Sequence, residues 1–191
     1  MNGNVQQKSL SRGFLTNLTI ERLLEVLLLV LAGSLAIVLH ARLRIPMNIP
    51  GHHGIEFMTI ILAARLSSKL KWASSISAIG IGIFILFPIL GFKDPMSGFN
   101  YMLPCFALDI VYNLTRNSKY AKLLLAIGAG LGYMMVPLSR LFFSLSTGYV
   151  FPSFIKHGFI TPVVSFFIFG LLGGLLGAGI YKLIRNVLNK L

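Results

Sequence analysis

Acidic residues are nearly missing from this 191-residue chain: five Asp and Glu stand against 17 Lys and Arg. Charged residues make up only 12% of the sequence, about half the share of a soluble domain. Too few charged side chains are present to cover a water-facing surface, which excludes a cytosolic globular enzyme. One cysteine, Cys105, excludes an internal disulfide framework and any multi-cysteine metal site. It lies in an apolar run and reads as an inert buried thiol. The sequence contains neither GxxxxGK[ST] for nucleotide phosphates nor HExxH for zinc. Strictly alternating polarity is also absent, so a lipid-facing β-barrel is not expected.

What the sequence does have is length in apolar runs: 55% hydrophobic residues and a mean hydropathy of +0.81. Crossing about 30 Å of hydrocarbon takes ~20 helical residues. Runs suited to this are Leu23–His40, Gly54–Ser68, Trp72–Phe92, Asn100–Leu114, Lys122–Ser144 and Phe159–Ile184. The second and fourth are short and carry ionisable groups. Lipid offers no partner to unpaired peptide groups, so each run is predicted to be a helix. The expected fold is an all-α integral membrane protein, a six-transmembrane-helix bundle over residues 22–191 preceded by a flexible cytoplasmic tail over 1–21.

The cations order themselves along these spans. Lys8, Arg12 and Arg22 precede the first; Arg65, Lys69 and Lys71 follow the second. Arg116, Lys119 and Lys122 join the fourth to the fifth, and Lys182, Arg185 and Lys190 end the chain. Only Arg42, Arg44, Lys93 and Lys156 fall on the other side, with Arg140 inside a span. The positive-inside rule then places both termini in the cytoplasm of a cell-membrane, multi-pass protein. The net charge of +12 is a topology signal, and no nucleic-acid partner is expected, since no basic stripe with interleaved aromatics is present. The first run exceeds a signal-peptide core and lacks a small-x-small cleavage site, so it is expected to persist as a helix.

Polar chemistry gathers toward the expected outer end. Pro46 and Pro50 hold the connection after the first span extended, and Gly51 and Gly54 let its backbone turn. If a helix starts near Gly51, His52 and His53 share a face with Glu56. Two readings stay open for these three: a ligand site, or helix N-terminal chemistry in which an acid complements the dipole. Arg140 counts out at a depth near Glu56, where it would pair with that acid, share an anionic ligand with it, or snorkel to headgroups. Asp109, deeper in the fourth run, is expected to bond a neighbouring helix more readily than to relay protons. Asn48, Asn100, Tyr101, Lys93–Asp94, Lys156 and His157 would complete the rim or sit in water. Ala32 and Ala36 form a small-xxx-small face, and the glycines of the third, fifth and sixth runs are read as internal packing.

Six short spans, both ends inside, a Pro-rich outer loop Arg44-Ile-Pro-Met-Asn-Ile-Pro-Gly-His and Ala32-xxx-Ala36 together resemble the substrate-binding S components of energy-coupling factor (ECF) transporters. The resemblance implies that Ala32 and Ala36 face a transmembrane coupling (T) subunit, that outer loops enclose a vitamin-like ligand, and that two cytoplasmic ATPases drive the cycle. Position two is Asn2, where the nickel and cobalt members of that family carry a histidine. The cationic rim (Arg42, Arg44, Arg140, Lys156) favours an anionic small molecule. The expected function is therefore non-enzymatic capture of a micronutrient, with Asn48, His52, His53, Glu56, Asn100, Tyr101, Arg140 and His157 as its contacts and neither metal nor cofactor. The alternatives are a stand-alone proton-linked transporter using Asp109 and Glu56, and an intramembrane metal-dependent enzyme using His52, His53 and Glu56.

Overall fold

A peptide group removed from water must find its partner inside the chain, and in runs rich in Leu, Ile, Ala and Phe the helix supplies it. A computed structural model describes residues 3–43, 47–92 and 96–190, the side chains of 3–18 and of Ile89 excepted. Asn2, Arg44, Pro46, the Lys93–Asp94 pair and the side chains of Lys8 and Arg12 lie outside the described residues. Among those described, the chain is all helical and contains no strand. The helices are α1 (Gly3–Arg42), α2 (Gly54–Ser67), α3 (Ala73–Ile85), α4 (Ser97–Thr115), α5 (Ala121–Thr147), α6 (Pro152–His157) and α7 (Ile160–Leu188), with a 3-10 turn at Pro88–Leu90.

Three helical segments are long and apolar enough to cross a membrane: Thr19–Arg42, Ala121–Thr147 and Ile160–Leu188. Much of the periphery is apolar as well, with Leu23, Leu28, Leu86, Leu145 and Ile160 all well exposed. A water-soluble monomer rarely shows so large an apolar surface. Both features point to a membrane protein. The first helix begins well before its apolar run, at Gly3, where the sequence suggested a flexible tail. The third run stops at Ile85 instead of reaching Phe92. Pro88 forces the residue before it out of the helical region, and Phe87 is extended at φ −78° and ψ 117°. At 14 and 13 residues, α2 and α3 are only about 20 Å long.

The short α2 is the hub. It packs against α1, α3, α4, α5 and α7, while α5 joins α7 to α4 and α3 joins α1 to α4. A helix enclosed on every side needs no polar face, and Phe57, Met58, Ile61 and Leu62 are fully buried in one core with Ile37, Ile81, Leu108, Leu125 and Val136. Close approach is built with glycine where α1 crosses α3. A Cβ on Gly33 would stand 1.8 Å from the Ser77 carbonyl oxygen, and one on Gly80 would stand 2.0 Å from that of Val30. Gly170, Gly173, Gly174 and Gly177 of α7 face α2 or α5 in the same way, and the Thr59 hydroxyl crosses to donate to the Gly173 carbonyl at 3.0 Å.

Ala36 is fully buried within this packing, and Ala32 is half-buried. The small-residue face expected to meet a coupling subunit is thus consumed at Ala36 by the chain's own core. Only Ala32 keeps accessible surface, because the α1 face turned outward is the leucine row instead.

Candidate functional site

Two groups of buried polar side chains stand out, one at each end of the bundle. The first lies where the start of α2, the end of α1, the first turns of α4 and the middle of α5 meet. Gly51, at φ 80°, turns the chain into α2 and sits against the Phe166 ring, which a Cβ would strike at 2.3 Å. This places His53 at the N-cap, so α2 starts at Gly54 and not near Gly51. His53 donates from Nδ1 to the Glu56 carboxylate at 2.5 Å. His52 falls outside the helix and does not share that face: its Nδ1 donates to the Ile49 carbonyl at 2.7 Å. The two rings still lie 4.0 Å apart.

His40, from the last turns of α1, completes the group. Its ring lies 5.2 Å from that of His53 and 4.6 Å from that of Tyr101, and its Nε2 is 2.9 Å from the Tyr101 hydroxyl. Phe57 stands 5.9 Å from Tyr133, which stacks on Phe166 at 4.8 Å. Next to Tyr101, Asn100 is fully buried and its Oδ1 accepts from the Ser139 hydroxyl at 2.6 Å. Arg140, one residue on, is half-buried with its guanidinium carbon 5.7 Å from the Phe151 ring.

In this cluster His40 Nδ1, His52 Nε2, Asn100 Nδ2 and the Tyr133 hydroxyl are buried and make no hydrogen bond within the described residues. A buried polar atom without a partner costs about 1–3 kcal/mol. Four such atoms lie among the side chains at this end of the bundle. Among the described residues no three His, Cys, Asp or Glu side chains are placed to hold a metal ion.

The remaining expected site residues go elsewhere. Asn48 and His157 line a shallow outer groove of about 330 Å³ with Met47, Pro50, Pro152 and Lys156, and the Lys156 ammonium donates to Asn48 Oδ1 at 2.7 Å. The short helix α6 carries Lys156 and His157. Thus Tyr101, His53, Glu56 and His52 come together, with Asn100 and Arg140 beside them, while Asn48 and His157 sit in the loop layer above. Sequence reasoning missed His40 and Tyr133. His40 was findable as a titratable residue ending an apolar run; Tyr133 carries no such signal.

The second group closes the opposite end. Arg65 and Asp109 are fully buried and paired at 3.0 Å. Arg65 also donates to the Leu70 carbonyl at 2.6 Å and lies 3.9 Å over the Tyr112 ring. Asp109 Oδ2 accepts from the Ser75 backbone N–H and its hydroxyl, both at 2.7 Å, and Oδ1 accepts from the Ser74 N–H at 3.2 Å. The carboxylate therefore caps α3, where an anion is favoured by the unpaired N–H groups and the dipole. Asp109 bonds a neighbouring helix, as expected. Arg65 differs from expectation: it is no solvent-facing cation of a connection but an internal residue of α2.

Searches against protein-family models, curated proteins and solved structures find no match to this chain.

Proposed function

We propose that the chain is a non-enzymatic, membrane-embedded solute-binding subunit of the ECF importer type, taking a small anionic micronutrient at the end that carries His53 and Glu56. In this reading the helices make six spans with both termini cytoplasmic, and a T subunit with two ATPases supplies the energy. The short α2 and α3 fit such a bundle because their neighbours, not lipid, surround most of α2. The observation that carries the reading is the set of unpartnered buried atoms on His40, His52, Asn100 and Tyr133, brought together from three helices and a loop. Half-buried Arg140 and the imidazoles surround them with one acid, Glu56, which is already bonded to His53. That balance suits an anion. The proton-linked alternative stands second, because both oxygens of Asp109 are held by donors.

Native mass spectrometry of the protein purified from its own membranes tests the reading. A retained small molecule, lost in a His53→Ala/Glu56→Ala variant, together with co-purification of a T subunit and paired ATPases, is the expected result. A bare chain with no associated subunits overturns it.

A further inference from the structure

We propose that the end of the bundle opposite His53 is a binding surface for anionic phospholipid headgroups. The proposal rests only on the helices spanning a bilayer, and not on what the other end binds. Three lysines at this end each lie against an aromatic ring: Lys71 over Trp72 at 5.4 Å, Lys119 over Tyr120 at 4.8 Å, and Lys122 over Tyr181 at 5.9 Å. The pairs come from the starts of α3 and α5 and the last third of α7, and they share one end. Lys122 joins α5 to α7, and Asn113 of α4 donates to the Lys71 carbonyl at 3.3 Å. Trp72 and Tyr120 are about half exposed, as suits rings at headgroup depth, whose apolar body meets acyl chains and whose polar tip meets water.

Of the three acids at this end, Glu21 is exposed and the other two are engaged by the chain itself. Asp109 is sealed against Arg65. Glu25 spends Oε1 on the Ser68 hydroxyl at 2.6 Å and the Lys69 N–H at 3.1 Å. Exposed Lys69, Lys71, Arg116, Lys119 and Lys122 thus outnumber the one exposed acid, Glu21. A phosphodiester anion complements such a surface, whereas a zwitterionic headgroup adds an ammonium that it repels. Basic residues near an anionic leaflet are each worth about 1 kcal/mol.

Trp72 is the only tryptophan of the chain, so its fluorescence reports on this surface alone. In vesicles holding brominated phosphatidylglycerol, quenching should exceed that in vesicles with the same fraction of brominated phosphatidylcholine. The preference should fall about fivefold for each of Lys71→Gln, Lys119→Gln and Lys122→Gln and should stay unchanged in Lys156→Gln at the other end. Helical circular dichroism verifies the fold of each variant; if Lys71→Gln or Lys122→Gln does not fold, Lys119→Gln in its exposed turn is compared alone. Equal quenching by the two lipids, or a preference that survives the lysine changes, overturns the proposal.

Discussion

The two buried polar clusters are built from the same materials and finished differently. At the Arg65 end, opposite charges meet at 3.0 Å, and both carboxylate oxygens of Asp109 have donors. Arg65 Nε and the Ser74 hydroxyl stay unpartnered, but the one pair of opposite charges is neutralised. At the His53 end one pair, His53 with Glu56, is closed, and four neighbouring side chains keep a buried atom without a bond. The first cluster ties α2, α3 and α4 together through a closed ion pair. The second gives up stability that the chain could have recovered, and such a concession concentrates at sites of function. Buried polarity as such does not set the two clusters apart; the number of unpartnered atoms does.

The comparison can be broken most forcefully at Arg65. Arg65→Met leaves the Asp109 carboxylate buried without its counter-ion, which should cost about 3–5 kcal/mol, read as a large drop in thermal midpoint in detergent. Adding Asp109→Leu should recover most of that loss, and no recovery would mean the pair is not the unit described. Gly54→Ala acts at the other end: the new Cβ would stand 2.4 Å from the Tyr133 ring, and displacing that ring should cost about 1–3 kcal/mol and abolish solute retention. Tyr133→Phe should separate stability from binding. Losing an unpartnered hydroxyl leaves the melting temperature equal or higher, while solute affinity falls by about tenfold. The smallest effect belongs to Lys156→Met, whose exposed bond to Asn48 is worth under about 1 kcal/mol; an unchanged melting curve is expected.

How far the sequence reaches differs between elements. The apolar run Gly54–Ser68 gave the extent of α2 to within a residue, whereas a start near Gly51, which would have put His52 on the face of Glu56, did not hold because Gly51 at φ 80° turns the chain before the helix begins. The end of α3 was misread because hydropathy continues through Pro88, whose effect is conformational and leaves no trace in apolarity. Arg65 was taken for a cation in a connection, since spacing alone cannot distinguish an arginine that snorkels outward from one that folds back onto a carboxylate 44 residues away. The three-residue separation put His53 and Glu56 on one face, but the expected partner of Glu56 was Arg140, whereas the Glu56 carboxylate bonds His53. The contributions of His40 and Tyr133 depend on which helices become neighbours, information that no single run contains. Ala36 shows the reverse error: a motif suited to close helix approach was legible, but the helix it serves lies within the same chain.

Because α2 is held by both α1 and α7, the second helix to leave the ribosome must wait for the last before its surroundings are complete. Until Gly173 and Gly177 arrive, the backbone they cover, including the Thr59 carbonyl, remains open. Chains cut short before residue 160 would therefore lack a wall around α2.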